Sequence, residues 1–191
     1  MIKAARNFDP RGFAILIEVF MRLLFEIDAK DYKEGGRIFA RPSVRAIILR
    51  DGKVGMVYSK KYNYYKFPGG GIERGEDHVS ALARETLEEV GLCVIRESVR
   101  EFGYVHRLQF DYTGAADIFV QDNYYYLCEV EDRALEQKLD GYEADERFTL
   151  RFVSPANAIA TNRGYNHGPK DLRMIERESR VLEILSQENI I

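Results

Sequence analysis

The order of elements along the chain predicts an α+β fold or a three-layer sandwich, not a regular alternation of strands and helices. Three observations carry this. A stripe with helical spacing opens the chain, a second helix sits between two groups of strand-like segments, and helical spacing returns near the end. The 191 residues fit one domain with room for a small extra element. With 46% hydrophobic and 31% charged residues, the chain has apolar material for a core and no sign of global disorder.

The elements follow in order. Residues 12–28 read as a helix, because Ile15, Val19, Leu23 and Ile27 recur at i+4 and Leu16 and Phe20 widen the stripe. Gly35-Gly36 breaks the chain. In residues 43–50, Val44, Ala46, Ile48 and Arg50 alternate with Arg45, Ile47 and Leu49, a strand pattern. Asp51-Gly52 is a hairpin turn signal, and residues 53–59 return as the partner strand. After the turn Pro68-Gly69-Gly70-Gly71, residues 77–90 are helical and stop at Gly91. Residues 93–130 are rich in Val, Ile, Phe and Tyr and lack proline, which predicts two or three strands. Residues 148–153 read as a last strand. Ser154-Pro155 then opens a short helix, and Gly168-Pro169 a longer one, with Leu172, Ile175, Leu182 and Leu185 on its stripe.

Charge and cysteine content narrow the classes. With 28 basic and 31 acidic residues, the net charge of −3 argues against a protein that coats nucleic acid or an anionic membrane. The apolar stretch from Phe13 to Phe25 is interrupted by Glu18 and Arg22 and is too short to span a bilayer. No small-residue cleavage site follows it, so no signal peptide is expected. Cys93 and Cys128 are too few for a disulfide scaffold, and two free thiols in a reducing cytoplasm is the expectation.

The informative segment is Gly70 to Leu92, GGIERGEDHVSALARETLEEVGL. On a wheel of about 100° per residue, Val79, Leu82, Ala83, Thr86, Leu87 and Val90 fall on one side. Arg84, Glu85, Glu88 and Glu89 fall on the other, so the three carboxylates converge on one patch. Like charges at these spacings repel by a few tenths of a kcal/mol per pair, roughly. Arg84, four residues before Glu88, offsets part of this, and a hard divalent cation such as Mg²⁺ is the other fitting partner. The neighbouring glycines let a backbone carbonyl approach such a ligand. From Glu73 to Glu89 there are six acids and two bases, so the excess negative charge is concentrated here.

This segment resembles the Nudix box, G-x5-E-x7-R-E-U-x-E-E-x-G-U, where U is a bulky aliphatic residue. Gly70, Glu76, Arg84, Glu85, Glu88, Glu89, Gly91 and Leu92 stand in register, and Thr86 is the one departure, at the first U. The preceding Phe67-Pro68-Gly69-Gly70-Gly71-Ile72-Glu73 resembles the usual lead-in. The resemblance implies an α/β/α sandwich around a mixed β-sheet in residues 41–191, with residues 1–40 as an added N-terminal helical extension that packs on the fold or at a homodimer interface. It implies hydrolysis of a pyrophosphate bond in a nucleoside diphosphate-linked or nucleoside polyphosphate substrate, by water attack on phosphorus with Mg²⁺ or Mn²⁺. The partner would be a small nucleotide-type substrate, with no nucleic acid and no membrane.

Carried onto this chain, the resemblance makes Glu85, Glu88 and Glu89 metal ligands together with the Gly70 carbonyl. Arg84 would orient the glutamates and Glu76 would brace the loop. The base would be Glu85, or a carboxylate in the loop 140–146, with Glu146 first and Glu143 second. Tyr65, Arg45 and His106 are the candidate substrate contacts. A proline shortly after the box, frequent in members that cleave ADP-ribose, is absent between Pro68 and Pro155. Tyr104 and Tyr112 do not match the spacing of members acting on dinucleoside polyphosphates. The alternative is a module that senses a nucleotide without cleaving it, and the intact acids and arginine of the box argue against that.

Overall fold

The computed structural model describes residues 3–8, 14–19, 21–164 and 166–191, the first two stretches as backbone only. The strands are β1 (Lys3–Phe8), β2 (Ala14–Val19), β3 (Leu23–Asp28), β4 (Ile38–Ala40), β5 (Ser43–Arg50), β6 (Lys53–Ser59), β7 (Tyr64–Lys66), β8 (Leu92–Val94), β9 (Arg100–Phe110), β10 (Ile118–Leu127), β11 (Val130–Ala134) and β12 (Thr149–Val153). The helices are α1 (His78–Val90), α2 (Gly141–Glu146), α3 (Pro155–Gly164) and α4 (Leu172–Gln187).

Asp51 and Gly52 both take positive φ, at 50° and 68°, which gives the turn the twist that lets β5 and β6 pair antiparallel. Around this hairpin the central sheet runs β12-β6-β5-β10-β9-β3, with β4 also on β10 and β7 on β6. β5 and β4 run parallel to β10, and β3 runs parallel to β9; the other pairs are antiparallel, so the sheet is mixed. On one face, Val44, Ala46 and Ile48 of β5 pack with Ala81, Leu82 and Val90 of α1. On the other, Ile47 and Val54 pack with Ala158 of α3 and Val181, Leu182 and Leu185 of α4. Helices on both faces make the α/β/α sandwich.

The helix expected over residues 12–28 is a correction. Leu23–Asp28 is a strand, parallel to β9 with Phe25 opposite Val105 and Ile27 opposite Arg107. Ala14–Val19 is a strand antiparallel to β1, and residues 12, 13 and 20 lie outside those described. The physical reason is periodicity. A spacing of four is also twice two, so Ile15, Val19, Leu23 and Ile27 share a strand face as readily as a helix face. The eleven-residue β9 then offers an edge whose backbone groups β3 satisfies. Residues 23–28 and 38–40 thus belong to the central sheet, not to a helical extension.

A second correction concerns residues 140–146, expected as an acidic loop. Asp140 accepts from the amides of Tyr142 and Glu143, and the Glu143 carboxylate accepts from the Asp140 amide at 3.0 Å. This capping box closes the short helix α2. Cys93 and Cys128 are unpaired among the described residues, and burial pushes the Cys128 thiol up to about 12. No helix among the described residues is long and apolar enough to cross a membrane.

α1 begins and ends where the sequence places it. Asp77 caps its first amides, and Gly91 ends it at φ 72°. A Cβ on Gly91 would sit 2.2 Å from the Leu135 carbonyl oxygen. Gly91→Ala is therefore expected to cost more than about 1 kcal/mol, because the positive φ and the backbone clash add. A urea unfolding midpoint lower than that of the wild type checks it, and an unchanged midpoint would remove this glycine from the account.

Candidate active site

The site is built where the chain turns from β7 into α1. Val44 donates to the Gly70 carbonyl at 3.0 Å and Ala46 to the Pro68 carbonyl at 2.8 Å, so the turn is laid along β5. Gly69 has φ 137°, and a Cβ there would lie 2.1 Å from the Val44 carbonyl oxygen, so only glycine fits. α1 then presents its polar residues to this turn.

Arg84 organises that polar side. Its Nε and Nη2 grip the two oxygens of Glu76 at 3.0 and 2.8 Å, a bidentate pair. Nη2 also donates to the Gly71 carbonyl at 3.0 Å, and Nη1 donates to Glu85 at 2.7 Å and Glu88 at 3.2 Å. One guanidinium therefore ties three carboxylates and the glycine turn together. Its hydrogen bonds hold the Glu76 carboxyl below the usual carboxylate range.

Glu89 does something different. Instead of joining Glu85 and Glu88, it is 1% exposed and faces the sheet, where it pairs with the Lys66 ammonium and accepts from the Gly69 amide at 2.9 Å. Burial pushes its carboxyl up to about 7, opposed by Lys66, Arg45 and the Gly69 hydrogen bond. The expected convergence of Glu85, Glu88 and Glu89 on one patch is thus corrected: Glu85 and Glu88 meet at Arg84, and Glu89 pairs with Lys66 instead. On the wheel Glu89 borders the apolar stripe, and Lys66 and the Gly69 amide draw it inward.

A hard divalent cation still finds oxygen donors here. Glu85 and Glu88 meet on one nitrogen of Arg84, so their carboxylates are neighbours. A Cβ on Gly70 would come within 2.3 Å of Glu85 Oε2, so the bare glycine makes the space that this carboxylate fills. The Gly70 carbonyl keeps a second lone pair besides the one used by Val44. Two carboxylates with water and phosphate oxygens are the usual surroundings of Mg²⁺, and this donor set fits it.

The other candidates are spread more widely. Glu146 is buried at the end of α2 and accepts from Ser59 Oγ at 2.8 Å and Tyr64 Oη at 2.9 Å, and it pairs with Lys170. Burial, with Glu146 beside it, pushes the Tyr64 hydroxyl far up, so the phenol stays a neutral donor. Glu143 is spent on the capping box. Arg45 is buried and donates to the Gly69 carbonyl. Tyr65 points to the opposite face from Tyr64, into the core beside α3 and α4, with its ring 4.9 Å from that of Tyr58. His106 pairs with Asp122 at 2.6 Å on β9 and β10. Neither Tyr65 nor His106 lines the cavity described next.

That cavity, of about 150 Å³, opens beside the turn and is lined by Arg45, Tyr64, Lys66, Tyr142, Lys170 and Arg177, among others. Sequence reasoning missed Lys66, Lys170 and Arg177. The one signal available was a lysine inside the otherwise aromatic run Tyr64–Phe67, where a cation needs a buried partner.

Known proteins resemble this chain in family and in fold. The NUDIX domain family model matches residues 40–173. An 8-oxo-dGTP diphosphatase of Buchnera aphidicola subsp. Acyrthosiphon pisum (strain APS) is 44% identical over 45 residues, 24% of this chain and 35% of that protein. A U8 snoRNA-decapping enzyme of Homalodisca vitripennis is 33% identical over 69 residues, 36% of this chain and 37% of that protein. The chain thus spans about a third of the length of these curated relatives. Among solved structures, a MutT described for Aliivibrio salmonicida and Vibrio cholerae superposes with a TM-score of 0.51 at 19% identity, covering 78% of this chain and 99% of that one. The solution structure of the E. coli ORF135 protein gives 0.50 at 20% identity, covering 79% and 94%. At that identity the likeness speaks for the fold alone. The family model covers most of the chain and includes the whole Gly70–Leu92 segment, and this chain belongs to the Nudix family.

Proposed function

We propose that this chain is a divalent-metal-dependent pyrophosphohydrolase that cleaves a phosphoanhydride in a nucleoside polyphosphate or a nucleoside diphosphate-linked substrate, with Mg²⁺ or Mn²⁺. The observation that carries this is the clasp of Arg84 on Glu76, Glu85, Glu88 and the Gly71 carbonyl, which holds the acidic side of the box in one arrangement. The names of the two curated relatives, a diphosphatase of 8-oxo-dGTP and a decapping enzyme, support a phosphoanhydride as the target.

A bound divalent cation supplies charge neutralisation for the phosphate oxygens and lowers the pKa of a coordinated water. Glu85, Glu88 and the Gly70 carbonyl are the groups that would hold it. Glu85, with one oxygen on Arg84 and the other against Gly70, is the proposed acceptor of the proton from the attacking water. Glu146 has its oxygens occupied by Ser59, Tyr64 and Lys170, so we assign it to positioning those groups rather than to proton transfer. Arg84 is a positioning residue, because it touches the glutamates and not the reacting atoms.

A screen of nucleoside triphosphates, nucleotide sugars, dinucleoside polyphosphates and ADP-ribose with Mg²⁺ or Mn²⁺ should yield a mononucleotide or phosphate product from at least one class. Glu85→Gln is expected to lower kcat by at least about 100-fold, the lower range for loss of acid–base catalysis, while the circular dichroism spectrum and unfolding midpoint stay near wild type. Glu89→Gln is a poorer probe, since it strands a buried Lys66 and destabilises the fold. Unchanged turnover in Glu85→Gln would sink the assignment, and tight nucleotide binding without product would point to a sensing module. Arg84→Lys keeps the charge but loses the fork. It should cost about 1.5–3 kcal/mol in denaturant titration, the range for hydrogen bonds to charged groups, and about 10–100-fold in kcat through misplaced glutamates.

A further inference from the structure

The resemblance in the box gives Glu89 to the metal, but the surroundings of this carboxylate do not fit one. Its side chain is 2% exposed, against 39% for that of Glu88. Mg²⁺ dehydrates reluctantly and keeps several waters, and a carboxylate so enclosed has no solvent side on which to hold them. Both of its oxygens are also taken. Oε1 accepts from the Lys66 ammonium and Oε2 from the Gly69 amide. The outer pair differs, because Arg84 uses one oxygen of Glu85 and one of Glu88.

Lys66 is the cation that Glu89 already has. It ends β7, and its side chain is buried with the Phe148 ring behind it, 5.0 Å from Nζ to the centroid. The ammonium is therefore held on Glu89 and has no open route to water. Arg45 faces the same carboxylate and favours its charged form. A divalent cation placed here would meet two positive groups at close range. A protein cation neutralises Glu89 without retained waters and without open coordination positions.

Resting on the reading that Glu85 and Glu88 hold a divalent cation, we infer that Lys66 stands in for a second one on Glu89, so that the chain takes a single divalent ion. Lys66 is then a positioning residue. Its ammonium lets the buried carboxylate hold the Gly69 amide, and with it the turn that carries the Gly70 carbonyl. The metal is confined to the outer carboxylates. Without the ammonium, Glu89 changes from a structural anion into a ligand.

Equilibrium dialysis of the full chain against Mn²⁺ counts the ions. The wild type should bind one per chain, Lys66→Gln two, and Lys66→Gln combined with Glu89→Gln one again. Unfolding midpoints give an independent readout, since Lys66→Gln strands a buried carboxylate. Its midpoint should fall in EDTA and recover with Mn²⁺, while the double variant gains no more from Mn²⁺ than the wild type does. Where Lys66→Gln does not fold in EDTA, return of the native circular dichroism spectrum on adding Mn²⁺ is the expected result. Two ions on the wild type, or a Lys66→Gln chain that neither gains an ion nor is restored by Mn²⁺, overturns the inference even if the chain hydrolyses nucleotides. No ion on the wild type but one on Lys66→Gln, lost again in the double variant, supports the stand-in and overturns only the outer-carboxylate reading.

Discussion

Glu89 is the constraint on which the site depends. A carboxylate on an amphipathic helix is ordinarily solvated, yet this one is completely enclosed between α1 and the sheet. Burial of a charge is tolerated only with partners, and Lys66 and the Gly69 amide are those partners. The consequence is positional. Lys66 ends β7, Gly69 lies in the turn and Glu89 lies in the last turn of α1, so one buried pair fixes strand, turn and helix against each other. The glycines follow from that closeness, since a side chain at Gly69 would meet β5 and one at Gly70 would meet Glu85.

With Glu89 turned inward, the box divides into two electrostatic layers. The outer layer is acidic and is held by one arginine, which keeps Glu85 and Glu88 close despite their repulsion. The inner layer is basic and holds Lys66, Arg45, Lys170 and Arg177 around a small cavity. A polyphosphate is an anion that needs cations along its whole length. The acidic layer is the one suited to a divalent cation, and the basic layer is the one suited to an anion.

Much of the fold was legible in the sequence. Asp77 and Gly91 mark α1 because a cap and a left-handed residue are local requirements, and Asp51-Gly52 marks its hairpin for the same reason. The Arg84–Glu88 contact could be anticipated from spacing along one helix, but the grip on Glu76 and Gly71 could not, because both precede α1. The strand at residues 23–28 could not, because its apolar spacing suits both periods and its partner β9 lies about eighty positions later. The direction of Tyr65 was open for a related reason, since a strand sends successive side chains to opposite faces. The basic cavity was the least visible. Arg45, Lys66, Lys170 and Arg177 come from β5, β7, the segment before α4 and α4, and no pattern in the chain announces that they meet.

Whether the outer carboxylates hold a divalent cation is read by Mn²⁺ titration followed by electron paramagnetic resonance. The free Mn²⁺ signal should be quenched stoichiometrically by the wild-type chain. In Glu85→Gln combined with Glu88→Gln, the dissociation constant should rise at least tenfold while the fold is kept. Equal Mn²⁺ affinity in the two proteins, or none in the wild type, would contradict it.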